Sequence, residues 1–153
     1  MTATDDAGNF TTCTFQVIPT DQTEPSITCP ANQTVAFSPS CNFTLPSYTS
    51  LATTADNCDA SVTVTQSPAA GTVITAATTI TLTATDDAGN FTTCTFQVIP
   101  TDQTAPSVTC PANQTASADA NCQFTMADYT ALASATDNCD SSVSLTQSPA
   151  PGT

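Results

Sequence analysis

An exact internal repeat is the feature that most constrains this chain. Residues Thr2–Thr23 recur letter for letter at Thr83–Thr104, and the remaining sequence repeats approximately with the same offset of 81 residues. A repeat of this length and fidelity is typical of an array of small domains. We therefore divide the chain into the C-terminal part of one unit with its linker (1–23), a complete unit (24–104) and the N-terminal part of a third (105–153).

Residues of the complete unit alternate between apolar and polar with a period of two, which predicts β-strands. Two such runs, at 80–84 and 94–98, flank Asp86–Asn90, where Gly89 can supply the positive φ of a hairpin turn. Short strands with frequent turns in about 80 residues predict a two-sheet β-sandwich. The segment Pro100–Pro106 contains two prolines, which predicts a stiff linker and a semi-rigid rod of units.

The charge balance excludes several functions. The chain has 13 acidic residues and no lysine, arginine or histidine. Nothing can therefore neutralise the phosphates of a nucleic acid, and an anionic membrane surface is disfavoured. No apolar run is long enough to insert in a bilayer. Because triads, Schiff-base chemistry and phosphoryl transfer all need the missing residues, we predict that the protein is not an enzyme.

Each unit carries four cysteines, an even number at fixed spacing. Small domains bury only modest cores, and disulfides commonly supplement them in oxidising compartments. Zinc is the competing interpretation, but the cysteines do not form CxxC pairs and histidine is absent. The sequence therefore predicts a disulfide framework. The eight cysteines are Cys13, Cys29, Cys41, Cys58, Cys94, Cys110, Cys122 and Cys139.

Several short motifs occur in the order that characterises a known family. They are Thr28-Cys29-Pro30-Ala31-Asn32-Gln33-Thr34, Ala55-Asp56-Asn57-Cys58, Thr83-Ala84-Thr85-Asp86-Asp87-Ala88-Gly89-Asn90 and Thr93-Cys94-Thr95-Phe96. On these residues the chain resembles the hyalin repeat (HYR) family. The resemblance implies an all-β fold of tandem immunoglobulin-like β-sandwich repeats, an adhesive role without catalysis, and a secreted or cell-surface location.

The sandwich topology suggests a disulfide pairing. The loop that holds Cys58 and the start of the last strand lie at the same pole of such a domain, which favours a Cys58–Cys94 bond. A Cys29–Cys41 bond follows by elimination, although a straight first strand would hold those two residues too far apart. The equivalent bond in the next unit is Cys110–Cys122. Alternatively, Cys41 bonds to a neighbouring unit or to another chain.

The same topology gathers acidic loops at the N-terminal pole, where no cationic side chain is available. Flexible, oxygen-rich loops of this kind suit Ca²⁺, which takes six to eight oxygen ligands. The alternative is that these residues are solvated turn residues without a ligand. The predicted calcium ligands are Asp21, Asp56, Asp59, Asp86 and Asp87, with Glu24 as the weakest candidate because the next linker has Ala105 in its place.

These observations favour a structural and adhesive extracellular module that forms a rod or filament at a cell surface. Its expected partners are other copies of the repeat, in the same chain or in a homopolymer, and surface glycans or proteins. One alternative is a module that binds a glycan or a protein through its loops. A second is a polymer in which residues 2–18 of one chain complete residues 106–153 of the next, with about nine residues missing at the joint.

Overall fold

The computed structural model describes residues 1–153, which form β-strands and two short 3-10 helices. The strands are β1 (Thr2–Thr4), β2 (Phe10–Thr12), β3 (Ser26–Thr28), β4 (Gln33–Ala36), β5 (Phe43–Thr44), β6 (Thr53–Ala55), β7 (Thr63–Ser67), β8 (Val73–Ile74), β9 (Thr78–Thr85), β10 (Phe91–Thr101), β11 (Ser107–Thr109) and β12 (Ser134–Thr136). The 3-10 helices are Thr49–Leu51 and Thr130–Leu132. None of the helices combines the length and apolar character that crossing a membrane requires.

The largest sheet of the complete unit has the strand order β4-β10-β9-β7. Strand β10 is antiparallel to β9, with Cys94 opposite Leu82, and parallel to β4. The hairpin predicted between β9 and β10 is confirmed: the Asp86 N–H donates to the Asn90 carbonyl at 3.0 Å, and Gly89 has a φ of +92°. A φ in this region favours glycine because other side chains clash with the backbone there.

A second layer covers this sheet and consists of two strand pairs, β3–β6 and β5–β8. The buried side chains alternate along β9 and β10 and meet residues from the second layer, as expected for strands with one buried face. Tyr48 packs edge-on against Phe96, with ring centroids 5.2 Å apart. The all-β prediction is confirmed, and the layers are consistent with a β-sandwich. The core cluster comprises Leu45, Tyr48, Ile74, Ile80, Leu82, Phe96 and Val98.

Strand β10 is longer than the sequence pattern indicates. It continues through Pro100 to Thr101, two residues into the segment predicted to be linker. Its pairing with β9 ends at Val98, and only β4 accompanies it beyond that point. Proline is tolerated there because a strand with one neighbour has fewer N–H groups to satisfy. The Thr101 carbonyl accepts a hydrogen bond from Phe37 N–H at 3.0 Å, which ties the start of the linker to the unit.

The predicted disulfide pairs Cys58–Cys94 and Cys29–Cys41 are wrong. Cys94 bonds to Cys29, with Cα atoms 5.7 Å apart. The prediction placed Cys94 at the pole, but it lies three residues inside β10, or about 10 Å from the start of the strand at the rise of an extended chain. There it faces Cys29 in the second layer, and both cysteines pack against the core.

Cys41 instead bonds to Cys139 in the following unit, with Cα atoms 5.1 Å apart. This is the neighbouring-unit alternative for Cys41. Cys41 lies in a turn in which its N–H donates to the Ser38 carbonyl at 2.9 Å, close to the linker rather than to Cys29. The Cys110–Cys122 pair is also wrong, because both of these thiols are free and exposed.

The two partial units expose residues that are buried in the complete unit. Phe15 is 65% exposed and Val17 is 79% exposed, whereas their counterparts Phe96 and Val98 are 4% and 0% exposed. These residues lie in the identical 22-residue repeat. Their burial is therefore decided by the presence of the rest of the sandwich and not by the local sequence.

Candidate functional site at the joint between units

The site lies where the linker enters the complete unit. Strand β3 pairs with β6 so that Ser26 is opposite Ala55, and the Ser26 hydroxyl donates to the Ala55 carbonyl at 2.8 Å. This pairing places the preceding linker beside the loop that follows β6. Pro25 is fully buried at this point and anchors the linker. The hairpin after β9 reaches the same place, and we call this end of the unit the N-terminal pole.

Three carboxylates meet at the N-terminal pole. One oxygen each of Asp21, Asp56 and Asp86 lies within 4.8 Å of the other two. Asp86 is only 7% exposed, and Asp21 and Asp56 are half-buried. No lysine, arginine or histidine exists in the chain to compensate their charge. Such a cluster holds like charges at close range, which is unfavourable unless protons, solvent or a cation compensate them.

Asp56 has one satisfied and one unsatisfied oxygen. Its Oδ1 accepts hydrogen bonds from the N–H groups of Cys58 at 2.9 Å and Asp59 at 2.8 Å. Its Oδ2 is buried and has no hydrogen-bond partner. A buried carboxylate oxygen without a partner is costly. Asp56, a member of the carboxylate cluster, therefore has one buried acceptor that remains free.

Asp86 is held in its ionised form by Asn90. Burial of Asp86 opposes its ionisation. The side-chain and backbone N–H groups of Asn90, however, each donate a hydrogen bond of 2.7 Å to the Asp86 carboxylate. The net effect is a lowered pKa of Asp86. The same Asn90 amide donates to the Asp21 carbonyl at 3.4 Å. Asn90 thus links two acidic loops. The sequence analysis missed this role, although the Asp-x-x-x-Asn spacing across the hairpin could have indicated it.

The other predicted ligands lie outside this cluster. Asp59 Oδ1 accepts a hydrogen bond from Ser61 N–H at 2.9 Å, and its Oδ2 accepts one from Asp87 N–H at 2.9 Å. Asp59 is therefore used to join two loops, and the Asp87 side chain is exposed. Glu24 accepts a hydrogen bond from the Thr92 hydroxyl at 3.2 Å. The structure brings together three of the five candidate residues.

The free thiol of Cys58 lies against these carboxylates. Desolvation, followed by the negative charges of Asp21 and Asp56, raises the pKa of the Cys58 thiol. The Asn57 side-chain amide also approaches the Cys58 sulfur at 2.9 Å. The carboxylate cluster and a cysteine therefore occupy one pole of the unit together.

The loop geometry of Asp56 recurs at the next joint. Asp137 Oδ1 accepts hydrogen bonds from the N–H groups of Cys139 at 2.8 Å and Asp140 at 2.9 Å, while its buried Oδ2 has no partner. The N–H bonds from Cys139 and Asp140 are the main causes of the lowered pKa of Asp137, and the neighbouring Asp102 side chain contributes to it. Here the loop cysteine is bonded, since Cys139 is joined to Cys41. A buried carboxylate oxygen without a partner and an inter-unit disulfide thus adjoin one another.

Comparison with known proteins gives one family. A family model described as the HYR domain matches residues 20–99, which is more than half of the chain and spans the N-terminal pole. No curated protein and no solved structure gives a significant match.

Proposed function

Because this chain belongs to the HYR-domain family, an extracellular module family of the adhesion type, we propose that it is a structural module that builds a rod or filament at a cell surface. The single observation that carries this proposal is the Cys41–Cys139 bond between two consecutive units. A module that only presented a binding loop would not require a covalent bond to its neighbour in addition to the peptide linker.

The position of the bond within the fold supports a linear arrangement. Strand β10 runs from the N-terminal pole to the opposite end of the unit, where Thr101 lies beside the turn that contains Cys41. We call this end the C-terminal pole. Two connections, the linker and the disulfide, leave this pole and reach the N-terminal pole of the next unit. Two points of attachment restrict rotation between neighbouring domains, whereas a single linker leaves domain motion as the default.

Composition also supports an extracellular structural role. Disulfides persist in oxidising environments outside the cytosol, and two are present here, one within a unit and one between units. The absence of lysine and arginine removes every cleavage site for trypsin-like proteases. HYR domains are a non-catalytic family, and histidine, lysine and arginine, on which most catalytic sites depend, are missing from this chain.

Calcium at the joints is part of the proposal. The supporting observations are the three clustered carboxylates, the buried and partnerless Oδ2 of Asp56, and the recurrence of such an oxygen at Asp137 in the next unit. A divalent cation would relieve the repulsion among Asp21, Asp56 and Asp86 and would fix the linker to the hairpin. Because successive joints of the proposed rod are equivalent, an ion and a disulfide would then stiffen each joint.

Length measurements test the rod. Strand β10 has 11 residues, which corresponds to about 36 Å at the rise of an extended strand. Each further copy of residues 24–104 should therefore lengthen the molecule by about 35 to 40 Å. Small-angle scattering of polypeptides with two, four and six copies in oxidising buffer should give a maximum dimension that increases linearly. A dimension that grows much more slowly than the copy number would contradict the proposal.

A further inference from the structure

Strand β7 forms one edge of the four-stranded sheet of the complete unit. We propose that this edge is a docking surface for a second copy of the chain, with β7 of one copy antiparallel to β7 of the other. The two four-stranded sheets then form one continuous sheet across both copies. The inference goes beyond the rod proposed above, because it concerns the side of a unit and not the joints between units.

The backbone of β7 is unpaired on the side that faces away from β9. Thr63–Ser67 pair with Thr81–Thr85 in a continuous antiparallel register. Apart from this pairing, no N–H or C=O group of Thr63–Ser67 makes a hydrogen bond to another backbone group. An edge strand directs its unpaired N–H and C=O groups sideways, where an extended chain can bind to them.

The sequence of this edge contains nothing that prevents such pairing. Natural edge strands are commonly protected by charged side chains, prolines or bulges. Thr63–Ser67 has neither a charge nor a proline, and its register with β9 has no bulge. The equivalent residues of the next unit, Ser144–Ser148, are likewise uncharged and free of proline. The lack of these protective features is therefore a property of the repeat.

Neighbouring residues support β7 without occupying its edge. Tyr48 N–H donates to Oε1 of Gln66 at 2.7 Å, and Nε2 of Gln66 donates to the Pro46 carbonyl at 3.1 Å. Gln66 is opposite the fully buried Leu82, so its side chain lies on the inner face of the sheet. These hydrogen bonds hold the strand through a side chain, and the edge backbone remains available.

The charge distribution favours the antiparallel orientation. The start of β7 lies at the N-terminal pole, because Thr63 is opposite Thr85 at the acidic hairpin. Asp59 precedes β7 and accepts the Asp87 N–H there, whereas Pro68–Gly71 after β7 carries no charge. A parallel pair would place two acidic poles side by side, with no cationic residue to compensate them. In an antiparallel pair, each acidic pole lies beside an uncharged turn.

The edge is also complementary to itself. The register that pairs the whole strand places Thr65 opposite Thr65 of the second copy, and Thr63 opposite Ser67. These three residues are exposed and share the outer face of the sheet, where hydroxyl side chains on paired strands can bond to each other. Val64 and Gln66 face each other on the inner face. No like charges are opposed along the strand.

Oppositely charged variants at Thr65 test the pairing. Thr65→Lys and Thr65→Glu each place two like charges opposite one another, which is unfavourable. The probe is sedimentation of the chain up to millimolar concentration, with free thiols alkylated so that only non-covalent association is measured. The wild type should form reversible dimers. Each variant alone should raise the dimer dissociation constant about tenfold or more. An equimolar mixture should form dimers again, because lysine then faces glutamate.

Thr93 provides the matched control. Thr65 and Thr93 lie on either side of Thr83 on the same face of the sheet, but Thr93 belongs to β10, two strands away from the edge. Thr93→Lys and Thr93→Glu change the net charge of the chain by the same amounts. They should leave dimerisation as in the wild type, so an effect of overall charge is distinguished from an effect at the edge.

A double variant tests the orientation. Thr63→Lys with Ser67→Glu opposes unlike charges in an antiparallel pair and like charges in a parallel pair, so it should dimerise at least as tightly as the wild type. Weaker dimerisation of this variant would overturn the antiparallel orientation. A monomeric wild type, a monomeric Thr65 mixture, dimers that persist in each Thr65 variant alone, or an equal loss in the Thr93 variants would each overturn the docking surface. The rod is tested separately by its length and would stand after any of these results.

Discussion

Cys41 and Cys139 belong to different repeat units, and a disulfide joins them with their Cα atoms 5.1 Å apart. Their bond closes a loop that includes the linker, so the covalent connection between units is double. In a row of small domains, a joint that consists of a single linker can bend freely. A joint with two covalent connections has fewer orientations available. In the proposed rod, this bond would therefore restrict the motion between neighbouring units.

Removal of this bond should free the joint. We expect Cys41→Ser with Cys139→Ser to increase the motion of residues 105–153 relative to the complete unit, because only the linker then holds them together. NMR relaxation should show the segment after Asp102 tumbling more independently. The matched control replaces the free thiols Cys13 and Cys110 by serine, which should leave the relaxation unchanged. Identical relaxation in both variants would show that the disulfide does not restrain the joint.

Removal of the bond within the unit should have a different effect. Cys29 and Cys94 enclose a separation of 65 residues and pack against the core. Loop closure of this length stabilises a fold by about 4 kcal/mol in the chain-entropy description. We expect Cys29→Ala with Cys94→Ala to lower the free energy of unfolding of the complete unit by about that amount. Urea denaturation measures it, and a loss below about 1 kcal/mol would contradict the expectation.

The exact repeat offers an internal control for the core. Phe96→Ala should lower the free energy of unfolding by about 3 to 5 kcal/mol, because Phe96 is 4% exposed and packs against Tyr48. Phe15→Ala changes the same residue in the same local sequence. Because Phe15 is 65% exposed, this substitution should leave the free energy of unfolding almost unchanged. Denaturation of both variants gives the difference.

The sequence was sufficient for the strands and the hairpin, because alternation at 80–84 and 94–98 directly reflects one buried face. It also placed Asp21, Asp56 and Asp86 at one pole. It failed for the disulfides, since a pairing depends on how far a residue lies along its strand, and Cys94 lies three residues past the pole. The repeat also made the inter-unit bond hard to predict, because every unit carries the same four cysteines. A local pattern cannot indicate that a cysteine has its partner in the next unit.

Acid should disrupt the hairpin between β1 and β2 at a pH lower than usual for an aspartate. Hydrogen bonds from the side chain and backbone of Asn9 lower the pKa of Asp5 below 3.8. A lowered pKa means that Asp5 stabilises the hairpin above pH 3.8, and that this contribution is lost as the pH falls through the folded-state pKa. NMR titration of the Asp5 carboxyl carbon measures this pKa directly.

Substitution of Asn9 tests the cause of that pKa. Asn9→Ala removes the side-chain donor, whose bond to Asp5 Oδ2 is 2.8 Å long, and should raise the pKa of Asp5 towards its ordinary value of 3.8. Asn32→Ala removes an asparagine with no bond to Asp5 and should leave the titration as in the wild type. An Asp5 pKa that is unchanged in Asn9→Ala would exclude the side chain as the cause.

Calcium should stabilise the complete unit through Asp56. An ion at ten times its dissociation constant contributes about 1.4 kcal/mol, or a rise in melting temperature of about 5 to 10 °C for a domain of this size. Scanning calorimetry with millimolar Ca²⁺ and with chelator measures this rise. Asp56→Asn keeps the oxygen that accepts from Cys58 and Asp59 but removes the charge, so it should lose most of the rise.

The same variant should behave oppositely in chelator. Without an ion, the three carboxylates repel one another, so Asp56→Asn should melt at or above the wild-type temperature there and below it in calcium. Asp87→Asn is the matched control, because the Asp87 side chain is exposed and lies outside the cluster; it should keep the full calcium response. If wild type and Asp56→Asn ranked in the same order of melting temperature with calcium and with chelator, the cluster would hold no calcium. Solvent alone would then compensate its charge.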